Sequence, residues 1–356
     1  MRKKLITLMV PILAAATLSP TLSASGVDEQ FVPSDVEWFL HIDVDTLRQS
    51  QAGSALIREL QAVNPLRNNP EIPIDPTLII NGLRGLSAFG SIPDLASGEI
   101  PNDSVLVIEG TEELMQVMRG LIAGIQLEKP EMLATLELEG QAIYQLQGES
   151  ISGLFLQDSR IVIGQTPGAL VSFLEVASGH QDHLILKTRF PSFKVGMESG
   201  FFVGAVIEGV TGMENLPAQA RILQLTQAVS VQLGEWDEYL KLEAGLKTDD
   251  PMTARQVKDI LQGIIALTAI TQTGLPEVSS LIQSARVNLE DTTVALELAY
   301  PVASALGWIK QLAGLVNHSM EPEEPAVEEL PAETGKDGEA PAEATDPATE
   351  IKKPGQ

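Results

Sequence analysis

The stretch VSVQLGEWDEYLKLEAGLKTDDP, Val229 to Pro251, decides the fold class. Val229, Val231 and Leu233 alternate with Ser230 and Gln232, and beyond Gly234-Glu235-Trp236 the residues Leu240, Leu242, Ala244 and Leu246 alternate with Lys241, Glu243 and Lys247. A period of two marks strands with one buried face, so the stretch reads as a half-buried hairpin turning at Gly234-Glu235-Trp236. Asp250 then caps a helix that Pro251 opens, with Val257, Ile260, Leu261, Ile264 and Leu267 on one face. A second hairpin follows, Val287 and Leu289 against Val294, Leu296 and Leu298, turning at Glu290-Asp291-Thr292. Pro301 starts a last helix with Leu306, Ile309, Leu312 and Val316 as its stripe. This order of hairpins and helices predicts an α+β fold: antiparallel sheets of hairpins with helices packed on one face and a polar face opposite.

Upstream the signals are shorter. Trp38, Leu40, Ile42 and Val44 alternate with Phe39, His41, Asp43 and Asp45, which predicts a strand apolar on both faces at its start and wet at its end. Asp45 is expected to cap a helix bearing Ala52, Ala55, Leu56, Leu60 and Val63. A second unit begins at Val105 to Glu109, with Thr111 as N-cap and Leu114, Val117, Met118, Leu121, Ile122 and Ile125 as a helical stripe. A third strand, Phe201 to Ile207, ends in Glu208. Strands that finish in an acid before a turn or helix suggest two related halves, with the acids favouring helix N-termini. Hairpins are expected across Gly140 and across Asp158-Ser159-Arg160, followed by a helix from Pro167 to Ala177 that Gly179 closes.

Charge and composition set the boundaries. Arg2, Lys3 and Lys4 precede an apolar run from Leu5 to Leu18 and a small-residue stretch ending Ser23-Ala24-Ser25-Gly26, the order of a cleaved secretory signal peptide over residues 1–25. Fourteen apolar residues interrupted by Pro11 fall short of the roughly 20 that a bilayer span needs. The expected location is therefore periplasmic or extracellular, with no transmembrane anchor after cleavage. At the other end, residues 319–356 hold 11 acids, 3 Lys and six Pro, a composition that cannot bury enough apolar surface to order itself and predicts a disordered acidic tail. Between them lie an N-terminal α+β half, 26–190, and a C-terminal one, 191–318. Setting aside the +3 leader and the −8 tail leaves a net charge of −20 out of the −25 of the whole chain, which argues against nucleic acid as a partner because phosphate neutralisation needs clustered Lys and Arg. The chain has no Cys, so neither a disulfide scaffold nor a thiolate metal site is open to it.

Three segments resemble a known group of sequences: Trp38 to Gly53 (WFLHIDVDTLRQSQAG), Thr253 to Gly263 (TARQVKDILQG) and Ala285 to Leu296 (ARVNLEDTTVAL). They are similar to a loose family of exported proteins of unknown function, common in planctomycete and verrucomicrobial bacteria. The resemblance spans most of Val36 to Leu315. It implies an envelope location and carries no established activity, so no catalytic residue transfers from it.

Reactive groups are sparse. With 4 His in the chain, the candidate pairs are His180 and His183, in His-Gln-Asp-His with Asp182 nearby, and His41 with Asp43 two residues along a strand. The first has a spacing that suits one transition metal but shows no third ligand; the second suits proton transfer or a structural hydrogen bond at a sheet edge. Asp43 and Asp45 are close enough on a strand to share a cation, or to act as caps. Gly148 to Gly153 is only superficially a nucleophile elbow, with Ser152 where the motif needs Gly, and Ser192-Phe193-Lys194 lacks the spacing of a Ser-x-x-Lys nucleophile. No catalytic, cofactor or metal residue is assigned on this basis. Aromatic residues make up 4% of the chain, which weakens a carbohydrate-stacking role. The expected function is that of an exported, non-catalytic envelope protein acting through contact with an envelope protein partner or as a structural element. The alternatives are a binder of an apolar small molecule or lipid, and a secreted hydrolase.

Overall fold

The computed structural model describes residues 28–63, 76–92, 101–138, 140–148, 151–156, 159–190, 193, 195, 200–210, 218–271 and 281–307. The signal segment 1–25, the tail 319–356, the expected last helix beyond Gly307, Glu149 and Ser150 of the Gly148–Gly153 motif, and Ser192 and Lys194 lie outside them.

Among the described residues, twelve strands form one antiparallel sheet: β1 (Trp38–Asp43), β2 (Leu83–Gly90), β3 (Val105–Gly110), β4 (Leu133–Leu138), β5 (Gln141–Leu146), β6 (Ser152–Leu156), β7 (Arg160–Gly164), β8 (Phe201–Glu208), β9 (Ala228–Trp236), β10 (Tyr239–Lys247), β11 (Arg286–Glu290) and β12 (Thr293–Pro301). Their spatial order is β11-β12-β10-β9-β8-β1-β2-β3-β7-β6-β5-β4. The class is α+β. The segments before and after residue 190 share this sheet, because β1 pairs along its length with β8 on one side and β2 on the other. The α-helices among the described residues include α1 (Val44–Gln49), α2 (Gln51–Val63), α3 (Pro76–Gly82), α4 (Glu112–Glu128), α5 (Pro167–Ala177), α6 (Leu186–Arg189) and α7 (Pro251–Thr271).

The layering is richer than a one-sided helical coat. Phe39, Phe89, Val105, Val107, Val162 and Val206 point to one face, where α5 sets Leu170, Phe173 and Leu174 on them and the chain through Leu184, Phe190 and Phe193 completes the layer. Ile42, Leu86, Ile108 and Ile161 point to the other, covered by Val44, Ile57, Ile80, Leu114 and Met115 of α1 to α4. Register places Val229, Leu246 and Val294 on this second face too, beneath Ala254 and Val257 of α7. The central strands are thus apolar on both sides, the two-period pattern of a sandwiched sheet, whereas β10 and β12 keep a polar face with Lys241, Glu243 and Glu297.

Local chemistry explains the element ends. The Oγ1 atoms of Thr111 and Thr166 accept from the amides of Leu114 and Ala169, and Asp250 accepts from Met252 and Thr253. Two readings shift. The hairpin of Val229 to Lys247 turns at Asp237-Glu238, both left-handed at φ 44° and 69°, not at Gly234-Glu235-Trp236. Gly234 is needed for a different reason: a Cβ there would strike the carbonyl of Gly200 and the Trp236 ring. The first helix is capped by Asp43, not Asp45, and Ser50 separates α1 from α2, so Ile57 is buried and Leu56 is turned out.

Candidate functional site

His41 and Asp43 do not form a wet strand end. Both are fully buried at the middle of the sheet, on the face shared with Phe39. His41 Nδ1 lies 2.8 Å from Ser87 Oγ on the neighbouring strand, and Nε2 is buried with no hydrogen-bond partner. Burial holds the ring's pKa down at about 4, so it is neutral at pH 7. Asp43 instead accepts from the Thr46 amide at 2.8 Å and from the Thr46 hydroxyl at 2.7 Å, closing the N-terminus of α1. Burial raises its pKa against the lowering by those hydrogen bonds.

Asp45 is likewise occupied. It pairs with Arg48 at 2.6 Å, and the Arg48 guanidinium also donates to the carbonyls of Ile80 and Leu83, binding the end of α3 to α1. Burial shifts both partners toward their neutral forms, Asp45 up and Arg48 down, while their mutual attraction acts the other way. Of Asp43, Glu109 and Glu208, only Asp43 caps a helix. Glu109 lies 3.4 Å from Arg160, and Glu208 2.5 Å from Arg189. Arg160 also reaches Asp28 and stacks 4.4 Å from the centre of the Phe31 ring, which staples the N-terminal segment to β7.

His180 and His183 sit on exposed chain after α5. The His180 ring meets Ser178 Oγ at 2.7 Å, and His183 bridges to Pro33 through its backbone. Among the described residues no group of three or more His, Asp or Glu is placed to hold a metal.

Two surfaces remain. The first is a cleft of about 470 Å³ on the polar face of β10 and β12, walled by the Trp236-to-Tyr239 turn and by Gln283 and Ser284, with Lys241, Glu243, Arg286 and Glu297 on its floor. Lys241 stands 5.2 Å over the Trp236 ring, and Ser284 Oγ is engaged with Leu281 and with the Ala299 amide. Its mixed charges suit a polar contact, and none of the sequence candidates lines it.

The second surface is the outer half of α7. Only Ala254 and Val257 are fully buried; Ile260 and Ile264 are each 42% exposed, Leu267 65% and Ile270 72%. The expected stripe of Ile260, Ile264 and Leu267 therefore faces outward. From Ile260 to Thr271 the helix carries no Asp, Glu, Lys or Arg, a run legible in the sequence and a better sign of this surface than any spacing of His or Asp. Among the described residues, no helix is long and apolar enough to cross a membrane.

No family model and no curated protein matches this chain. Among solved structures it is similar to crystal form III of TP0453, with 10% identity and a TM-score of 0.42 over 83% of this chain and 99% of that one. Crystal form I of TP0453 gives 12% identity and a TM-score of 0.41 over 83% of this chain and 98% of that one.

Proposed function

We propose that this chain is an exported, non-catalytic protein of the cell envelope, akin to the planctomycete and verrucomicrobial group it resembles, and that it works by contact with a protein partner. One observation carries the reading: Ile260, Ile264 and Ile270 are exposed on an uncharged helical half while the histidine and acid candidates are spent on caps, ion pairs and core hydrogen bonds or lie on an open loop. An apolar surface of this kind binds by excluding water, and its centre contributes most when it meets a complementary apolar patch.

The test is a photo-crosslinking residue at Ile264 in the full chain, expressed in its own envelope. A single adduct of defined mass, identified by mass spectrometry and lost in Ile260→Asp, supports the reading. Adducts to lipid alone would replace it with the second reading, a binder of an apolar small molecule or lipid, which the exposed apolar run from Ile260 to Ile270 favours. The absence of any specific adduct would refute both. Mass measurement of the purified mature chain tests export separately: loss of about the first 25 residues is expected.

A further inference from the structure

The sheet has two edges, and they are built differently. At one end β11 is five residues long, carries Arg286 and Glu290 exposed at its ends with Asn288 between, and is packed beneath α7. Charge and a helical cover are features that keep an edge from pairing with another chain. At the other end β4 runs Leu133-Ala-Thr-Leu-Glu-Leu138 with one charged side chain, Glu137, and the described residues pair it only with β5. Met132 and Leu136 are each 41% exposed there. Among the described residues its outer row of backbone N–H and C=O groups is therefore left without a partner strand or a covering helix.

We infer that β4 is a self-association edge, at which a second copy of this chain adds its own β4 antiparallel and joins the two sheets across a two-fold axis through Leu136. This inference stands apart from the contact surface on α7 and uses none of its residues.

The occupant follows from pattern and parity. An antiparallel pair related by a two-fold axis perpendicular to the sheet keeps residues of one face opposite one another. Leu136 pairs with Ile143, and Leu138 packs on the core that contains Ile143, so the even-numbered residues share that face. With the axis at Leu136, that side chain meets its own copy, Ala134 meets Leu138, and the apolar row of each molecule continues the buried core of the other. On the opposite face Thr135 meets Glu137, so no carboxylate stands opposite another. A foreign strand would need to match both the polar and apolar rows, which a second copy does by symmetry. Each chain carries −25, so repulsion opposes the pairing and salt relieves it. A six-residue edge is a small interface, and the dimer should be concentration-dependent.

Sedimentation equilibrium of the full chain at low and high NaCl reads this directly. The expected result is a rise toward twice the chain mass with concentration, stronger at high salt. Leu136→Lys and Leu136→Glu should each remain at the mass of one chain, since each places like charges on the axis, while an equimolar mixture of the two should recover the doubled mass as a heterodimer. Leu136→Ser, with unchanged far-ultraviolet circular dichroism, guards against misfolding and should weaken association without charge. A wild-type chain that stays at single mass under all conditions overturns the inference, and so does a dimer indifferent to Leu136 or a charge-swapped mixture that stays apart.

Discussion

Helices α5 and α7 open with the same chemistry and end in different surroundings. Thr166 caps α5 ahead of Pro167 at N1, and Asp250 caps α7 ahead of Pro251. Along α5 the residues Ala169, Leu170, Phe173, Leu174 and Val176 are all buried against the middle of the sheet, with Phe173 stacked 5.8 Å from Phe31. Along α7, nearly twice as long, Ala254 and Val257 are buried, Leu261 packs beside them half-buried, and Ile260, Ile264, Leu267 and Ile270 turn outward. A cap and an apolar stripe nucleate a helix; what the stripe packs against depends on whether the sheet still lies beneath it. β10, β11 and β12 support α7 over its first half, where Leu246, Val287, Leu289 and Val294 gather beneath Ala254, Val257 and Leu261.

That contrast gives the ordering of mutational effects. Phe173→Ala should cost about 3–5 kcal/mol, because it opens a cavity under α5 where the ring is fully buried; urea unfolding measures it, and a loss below about 1 kcal/mol would mean that α5 is as loosely seated as the outer half of α7. The next effect is one of pH and concerns the same buried face. His41 has its native pKa near 4 against about 6.5 unfolded, so between those values the unfolded chain takes up a proton that the native ring refuses. Stability should fall by about 3 kcal/mol as pH drops from 6.5 through 4, and His41→Asn should remove that dependence. Asp43 and Asp45, with raised pKa values, act in the opposite sense by holding protons in the native state, so the difference between wild type and variant is the quantity to read.

Smaller again is Thr166→Ala, which removes the cap of α5 and should cost about 1 kcal/mol in global stability. Asp250→Ala removes the matching cap of α7 and should give a comparable loss in urea unfolding, since the first turns it closes carry the buried Ala254 and Val257. The smallest effect closes the comparison: Ile264→Asp should leave unfolding within about 0.5 kcal/mol of wild type, because the side chain is already 42% exposed. A loss of several kcal/mol would show that the outer half of α7 belongs to the core.

The sequence alone determined what depends on near neighbours. The caps at Thr111 and Asp250, the helix from Pro167 to Ala177 and the hairpin turn around Asp291 follow from interactions within a few residues, and each is where its residues predict it. Even the shifted turn at Asp237-Glu238 moved by only a few positions, because Gly234 serves a contact with Gly200 that lies 34 residues away in the chain. The tertiary structure decided the rest. Whether His41 and Asp43 are wet or dry depends on β2 and β8 closing on both sides of β1 and on Phe193 covering Phe39, none of which is encoded within the strand itself. Whether Ile264 is core or surface depends on where the sheet runs out beneath α7, and β4 becomes an edge only because β5, β6 and β7 stack between it and β3. Periodicity specifies which side chains seek burial, while strand order, a property of contacts between residues far apart in the chain, determines which of them find it.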